Sequence, residues 1–387
     1  MLSTVTHAPR RRIVSALAPL RSLSTETTQT PSTDVLQPPP PPPPKHPSTK
    51  QRTRLSPSPR PSIPHRHIVS DFNAPIRYAF AYGSGVFEQD GYQTEKGAPP
   101  MLDFMFAVTH PAHFHSINMA QHPSHYAMYA RTFGSSFVTR VEEFGPGVWF
   151  NAFVKAKGRT IKYGVTSVDN LCSDLLNWNT LYLAGRMHKP LRIIKDDARV
   201  RLTQQVNLTS AVRAALLTLP AEFSETQLFE TITGISYSGD PRMVLPGENR
   251  GKVGNIVRKQ RPQFRELYYR LVTGLPGVHW PGDSSTLQQD TSPIARVAHL
   301  KKLPPVLLRR VRGSYASDTS IPTMEADEGA HWQRIAGDEQ LPVVLRRQMR
   351  GIVGYPATVQ TLKGIISGGP ITTVRYSLDK LAKWWKS

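Results

Sequence analysis

The chain has 387 residues, 39% of them hydrophobic, and a formal net charge of +20, so a prior of about 150 residues per domain predicts two domains plus flanking segments. Its single cysteine, Cys172, cannot form an internal disulfide and has no CxxC partner for a thiolate zinc site, and no window approaches the ~18 consecutive apolar residues of a membrane span. The basic excess points to a polyanionic neighbour: nucleic acid, nucleotide or an anionic membrane.

Residues 1–70 hold ten Lys or Arg against Glu26 and Asp34, a net charge of +8. Within them, Arg10, Arg11, Arg12 and Arg21 accompany several Ser and Thr and no acid over the first 25 residues. Ile13, Leu17, Leu20 and Leu23 recur on one helical face, so the segment has the composition of a mitochondrial presequence. Pro38–Pro44 is an unbroken proline run that continues as a Ser-, Thr- and Lys-rich stretch to Pro64. It cannot donate backbone hydrogen bonds, which predicts an extended, disordered linker.

Order is predicted from Val69. Ile76–Tyr82 reads as a short buried strand ended by Gly83-Ser84-Gly85, and Met101–Val108 as a second strand bounded by prolines. Val148–Lys155 and Thr160–Val165 form a predicted hairpin about a Lys157-Gly158 turn. Beyond the Thr166-Ser167 cap, Leu171, Leu175, Trp178 and Tyr182 fall on one helical face. Residues 69–195 therefore read as an α/β domain. Residues 196–312 read as mainly helical: "NLTSAVRAALLTL", then "SETQLFETITG" opened by a Ser224–Gln227 capping box, a loop over 236–257, and "PQFRELYYRLVTGL". Residues 313–340 are polar and predict a flexible insertion.

Gly83-Ser84-Gly85 follows a strand and precedes a strand carrying one carboxylate, Asp103. Such a turn is either punctuation or a phosphate cradle. Glycine lets a backbone approach a ligand closely, and successive N–H groups make an anion nest. A carboxylate at the end of the next strand can hold a divalent cation against the same phosphates. Strand, Gly-Ser turn and strand with Asp is the outline of a polymerase-β-type nucleotidyltransferase core. That core usually reads Asp-apolar-Asp in its second strand, whereas here the sequence is Asp103-Phe104-Met105. Either one cation suffices, or a second carboxylate arrives from elsewhere, Asp240 being the candidate; Glu88 and Asp90 lie near the turn as solvated loop acids or as ligands. His110, His113, His115, His122 and His125 crowd one stretch, expected to be a loop, but no metal-ligand spacing such as HExxH accompanies them.

The blocks "YGSGVFEQ", "LDFMFAV", "IKYGV", "DLLNWNTLYLAGRMHKP", "YSGDPRM" and "KVGNIV", with "TLKGIISGGP" and "YSLDKLAKWWK", closely resemble the mitochondrial phosphatidate cytidylyltransferases, also described as translocator assembly and maintenance proteins. The resemblance runs from about Ile68 to the C-terminus, leaving out the 313–340 insertion. It implies conversion of CTP and phosphatidate to CDP-diacylglycerol and pyrophosphate, with Mg²⁺, on the matrix face of the inner membrane, as an early step towards cardiolipin. It also implies a nucleotidyltransferase core with a mainly helical, winged-helix-like second domain. Gly83, Ser84 and Gly85, with Arg186 and Lys189, would hold CTP, and Asp103 the metal. Lys162 and Asp240 would join the catalytic set, and Arg242 and Lys252 would bind phosphate. A further family block around Asn118 implies substrate contact or loop ordering for His125 and Tyr126.

Within the C-terminal region, 341–387, Val374, Leu378, Leu381 and Trp385 recur at helical spacing, flanked by Arg375, Lys380, Lys383 and Lys386 and followed by Trp384-Trp385. A basic amphipathic helix ending in tryptophans suits anionic inner-membrane lipid, although a helix docked on the protein's own core shares that pattern. Two other functions use some of the same features: a mitochondrial RNA nucleotidyltransferase and a non-enzymatic assembly factor. The first lacks an RNP-type aromatic motif, so no nucleic-acid partner is expected. The second leaves the Gly-Ser turn and Asp103 without a purpose.

Overall fold

The computed structural model describes residues 63–86, 100–244, 251–316 and 327–368, together with Asp318 and Met324. The expected presequence, the linker as far as Ser62, Glu88, Asp90 and the C-terminal residues Arg375, Lys380, Lys383, Trp384 and Trp385 lie outside them, while Ile63–Val69 is helical, so order begins six residues before the expected Val69.

Helix α1 (Ile63–Val69) leads into strand β1 (Tyr78–Tyr82), then β2 (Leu102–Val108). Helices α2 (Pro111–Gln121) and α3 (Met128–Glu143) follow, before the hairpin of β3 (Trp149–Ala156) and β4 (Arg159–Ser167). The hairpin turns at Lys157 and Gly158, both at positive φ, as a two-residue turn that matches strand twist requires. Helix α4 (Val168–Asn177) and strand β5 (Arg192–Lys195) complete a mixed five-stranded sheet in the order β3-β4-β2-β1-β5. β1 and β2 are antiparallel, and β2 and β4 parallel.

Side chains alternate across this sheet, and both faces are buried. One face presents Tyr78, Phe80, Met105, Ala107 and Phe150, which share a core with α4 and the helices beyond. The other presents Ala79, Ala81, Phe104, Phe106 and Tyr163, packed on Ile68, Phe72 and Phe114. The chain is thus mixed α/β, with the site-bearing residues divided between two faces by their position in the strand.

Helix α5 (Ala198–Leu216) is followed by β6 (Glu222–Ser224), α6 (Glu225–Ile235), α7 (Lys252–Thr273), β7 (Val278–His279) and β8 (Thr286–Gln289). The three short strands form a second sheet, β6-β8-β7. The Ser224–Gln227 capping box is present with both of its hydrogen bonds. α7 starts ten residues earlier than expected and carries Pro262 inside it; Gln260, two residues before, leaves helical geometry, which removes the clash a proline makes with the preceding turn. Helices α8 (Pro293–Leu300), α9 (Pro305–Tyr315), α10 (Glu328–Gly337) and α11 (Leu341–Gly368) complete the described chain. Within the stretch expected to be a flexible insertion, 313–340, residues Glu328–Gly337 form α10: Asp327 caps it, and Trp332, Ile335 and Ala336 are buried in the main core. That core runs without a break from Tyr78 to Ala357, so the sheet and the helical region are packed as one body at this face.

Candidate active site

Tyr82, the last residue of β1, pairs with Asp103 near the start of β2. The chain then turns through Gly83, at φ +84°, and Val86 N donates to Gly83 O at 3.1 Å. A Cβ on Gly83 would lie 3.2 Å from Asp103 Oδ2, and one on Gly85 only 2.3 Å from the Met101 carbonyl oxygen. The turn is therefore laid directly against the carboxylate, and Gly85 cannot carry a side chain without moving backbone. Gly85→Ala is expected to push the turn off β2, destabilising the protein by about 1–3 kcal/mol as overpacking does and weakening nucleotide binding at least ~10-fold. Thermal unfolding alongside a CTP titration checks both effects.

In the parallel pairing of β2 and β4, Asp103 stands beside Lys162, whose ammonium lies 4.6 Å from the Phe150 ring centre. Burial pushes the Asp103 carboxyl up from its usual range, while Lys162, Arg186 and Lys252 pull it back. Three cations therefore converge on one carboxylate. Arg186 sits between two aromatic faces, 5.0 Å from the Tyr82 ring and 4.5 Å from that of Tyr182, and donates to Tyr182 O at 3.2 Å. Lys189 donates to Gly185 O at 2.6 Å and Ser236 Oγ at 2.8 Å. Both Lys189 and Lys252 lie over the ring of Tyr237. Burial, then the neighbouring charges of Arg186 and Lys252, hold the Lys189 ammonium well below the usual lysine range.

A single buried carboxylate builds the loop that carries Arg186 and Lys189. Asp174 Oδ1 accepts from Thr180 N, Leu181 N and Thr180 Oγ1, and its Oδ2 from Leu183 N and Ala184 N, all within 2.7–3.1 Å. The expected long helix through Tyr182 is therefore wrong. α4 stops at Asn177, Trp178 and Leu181 take left-handed backbone angles, and the freed N–H groups turn inward to Asp174. Tyr182 becomes a site residue rather than one on a core helix face.

Asp240 was the candidate for a second metal ligand. It is buried, and Arg242 donates to its carboxylate from the backbone N (3.0 Å), from Nε (3.0 and 3.2 Å) and from Nη2 (2.6 Å). Burial alone would raise this carboxyl, but those bonds, the charge of Arg242 and that of Lys252 hold it below the usual range. Both of its oxygens are engaged by Arg242, an arrangement that suits an anchor for that arginine. Among the described residues no group of three or more His, Cys, Asp or Glu side chains could hold a metal.

His125 and Tyr126 belong elsewhere. Lys162 and Tyr163 are neighbours in β4 and so point to opposite faces; the two residues are bound to the Tyr163 face, away from Asp103. Asn118 Nδ2 donates to both Tyr126 Oη (2.9 Å) and Tyr163 Oη (2.7 Å), and Asn151 Nδ2 donates to Tyr163 Oη at 2.8 Å. Those two hydroxyls accept from the amides, which leaves their protons for His115 Nδ1 (2.8 Å) and His125 Nδ1 (3.0 Å). His115 Nε2–H then donates to Glu142 Oε2 at 2.8 Å. Burial brings His115 down to about 3 and, with help from His122, His125 to about 4. The histidine stretch, expected to be a loop, is mostly helix α2, whose first residue is Pro111, and its buried histidine is a neutral structural link. His125 and Tyr126, expected to contact phosphate, thus sit in the Tyr163 network, apart from the Asp103 cluster.

What remains on the Asp103 face is Gly83, Ser84, Gly85, Asp103, Lys162, Arg186, Lys189, Arg242, Lys252 and the Asp240 anchor. Tyr82, Tyr182, Ser236 and Tyr237 join them, none of which sequence reasoning assigned to the site. The position of Tyr82 immediately before the glycine turn was the available signal; the other three reach the site through loop geometry. Five cationic side chains against two carboxylates, with glycine backbone beside them, form a receptor for a multiply charged phosphate ester.

Residues 65–383 match the family described as phosphatidate cytidylyltransferase, mitochondrial. Curated proteins of that description include one from Danio rerio, 38% identical over 325 residues that cover 83% of this chain and 94% of its own. A Schizosaccharomyces pombe protein is 36% identical over 344 residues, 87% of either chain. A Saccharomyces cerevisiae protein is 47% identical over 205 residues, 52% of this chain and 53% of its own. The sheet, the glycine turn and the cation cluster all lie within that matched range, and the chain belongs to the mitochondrial phosphatidate cytidylyltransferase family.

Proposed function

We propose that this chain transfers a cytidylyl group from CTP to phosphatidate, giving CDP-diacylglycerol and pyrophosphate, an early step towards cardiolipin. The observation that carries the reading is Asp103, set against Gly83 and ringed by Lys162, Arg186 and Lys252. One phosphate oxygen of phosphatidate attacks the α-phosphorus of CTP, forming the new P–O bond while the bond to the β-phosphate oxygen breaks and pyrophosphate leaves in line. The attacking oxygen is already ionised near neutral pH, so no general base is needed; positioning and charge neutralisation supply the rate. The glycine turn holds the triphosphate, Arg186 and Lys189 neutralise it, and the Asp240-anchored Arg242 together with Lys252 receives phosphate oxygens.

Mg²⁺ fits this donor set in one form: Asp103 as the single protein carboxylate, with the substrate's own phosphates completing the shell, as magnesium commonly accepts. When bound it would neutralise charge developing on the phosphate oxygens. The fold reading follows the same line. The Gly-Ser turn between β1 and the Asp-bearing β2 supports a polymerase-β-type core, and the succession α5-β6-α6-α7-β7-β8, with the hairpin last, supports a winged-helix-like second part. No helix among the described residues is long and apolar enough to cross a membrane, which suits peripheral attachment on the matrix side of the inner membrane, reached through the N-terminal presequence.

The depressed lysine gives a pH signature. Burial, then the charges of Arg186 and Lys252, hold the Lys189 pKa well below the usual lysine range in the free protein, and an anionic triphosphate beside it would raise that pKa. CTP binding therefore takes up a proton, and affinity is full below the depressed Lys189 pKa and declines as pH rises through it. Calorimetric titrations in buffers of different ionisation enthalpy should show proton uptake that Lys189→Met removes. The overall reading is tested by following pyrophosphate released from CTP with and without phosphatidate. Release only when phosphatidate is present, and from CTP in preference to UTP, is expected. Release stimulated by RNA instead would replace it.

A further inference from the structure

Outside the cation cluster, large apolar side chains stand in solvent along two helices. On α3, which kinks at Gly134 (φ +77°), Phe133 is 66% exposed and packs at a tilt against Phe137 across the kink, with ring centres 5.3 Å apart. Phe144, just past the helix end and 67% exposed, follows Phe137 by two turns on the same face. On α11, Tyr355 and Leu362 are 71% and 57% exposed, and half-buried Val359 lies on the same face between them. Single exposed hydrophobics are ordinary; these are contiguous. Lys363, the neighbour of Leu362, is buried and donates to Glu142 O at 2.9 Å and Phe144 O at 2.8 Å. A Cβ on Gly145 would overlap Val359 Cγ1 at 2.6 Å. The end of α3 is thereby clasped to α11, and Phe144 and Leu362 share one surface.

The same helix reaches the catalytic side. Gly239, at φ +84°, lies under α11 so closely that a Cβ would meet Arg350 O at 2.5 Å, and a Cβ on Gly354 would meet Gly239 O at 3.4 Å. Gly239 precedes Asp240, the anchor of Arg242. One turn of α11 therefore supports the phosphate-binding loop, while the next two present Tyr355 and Leu362 outward.

Charge selects the partner. Residues 341–368 contain Arg346, Arg347, Arg350 and Lys363 and no acid, and residues 369–387 add Arg375, Lys380, Lys383 and Lys386 against Asp379 alone. Arg131 and Arg140 are exposed on α3, with Glu143 the acidic exception. An apolar strip with exposed Arg131 and Arg140 on the same helix as Phe133 and Phe144, in a chain whose remaining C-terminal residues are basic, complements an anionic lipid leaflet. We propose that the Phe133–Phe144 face of α3 and the Tyr355–Leu362 face of α11 form a leaflet-docking surface that sets the Arg242 loop at the membrane, in addition to any contact made by the basic C-terminal segment. The proposal rests on the lipid-substrate reading above and deepens it.

The test uses the full chain. Phe144→Glu/Leu362→Glu is expected to partition at least ~10-fold more weakly than wild type onto phosphatidylcholine vesicles containing phosphatidylglycerol, while binding CTP unchanged. Leu362→Cys carrying an environment-sensitive fluorophore gives an independent readout, because the native Cys172 is buried. Its emission should shift to the blue with those vesicles and not with CTP alone. Unchanged partitioning with an unshifted label overturns the proposal. So does light scattering that finds a dimer for wild type and a monomer for the double variant, which would make the face an interface between copies. Turnover of a short-chain phosphatidate dispersed in water separates the two readings. The double variant should retain it, whereas its absence in wild type would remove the cytidylyl-transfer reading and leave the vesicle result standing.

Discussion

Asp103→Asn should lower turnover by at least ~1000-fold while leaving the fold and CTP binding nearly intact. The change keeps the shape of the side chain, so β2 still pairs with β1 and β4, and Gly83 still packs on a planar group of the same size. What disappears is the one negative charge among Lys162, Arg186 and Lys252. Removing a single preorganised electrostatic group from an active site typically slows chemistry by two to three orders of magnitude, and the same group is the carboxylate proposed to hold Mg²⁺. CTP affinity should hold or rise, because the cation cluster is then uncompensated. A kcat collapse with little change in CTP dissociation constant is the expected pattern; wild-type turnover in a metal-controlled assay would take Asp103 out of the site.

The second large effect falls on a residue that touches no substrate. Asp174→Ala leaves four backbone N–H groups, those of Thr180, Leu181, Leu183 and Ala184, without their acceptor in a buried loop. At about 1–3 kcal/mol for each unsatisfied donor, the loss is on the order of 4 kcal/mol or more after relaxation. Arg186 and Lys189 ride on that loop, so CTP binding should fail even in protein that remains folded. Asp174→Asn is no rescue: one carboxylate oxygen becomes an NH₂ donor facing donors, since each oxygen accepts from at least two groups. Thermal unfolding and CTP titration of both variants check this, and an Asn variant that binds CTP normally would show that the loop is held by its own packing.

Much of this was legible in the sequence, and particular residues show why the rest was not. Strands β1 to β4, the Lys157-Gly158 turn and the Ser224 capping box follow from alternation and glycine chemistry, which are local signals. The glycine turn, Asp103, Lys162, Arg186, Lys189, Arg242 and Lys252 do come together, although they are spread from β1 to α7. Pro262 was read as a helix start, as proline at a first turn would suggest, because the compensating departure at Gln260 is invisible in a sequence. Pro111 was passed over as loop punctuation and in fact begins α2. The spacing of Leu171, Leu175, Trp178 and Tyr182 fits a helix by coincidence; Asp174 captures the backbone N–H groups and ends it, a long-range competition that periodicity does not register. His125 and Tyr126 stand apart from the Asp103 cluster, and the sequence carries a signal for that. Tyr163, which binds the network that holds them, is one residue from Lys162 in a strand and so must face the other way.

The Asp103 cluster is proposed to move cytidylyl from CTP to a lipid phosphate. The most direct measurement incubates the full chain with Mg²⁺, CTP labelled at its α-phosphate and phosphatidate in mixed micelles, then extracts the lipid. Label recovered in CDP-diacylglycerol, and lost with Asp103→Asn, is the result predicted. Folded wild-type protein that binds CTP but leaves every count in the aqueous phase would contradict it.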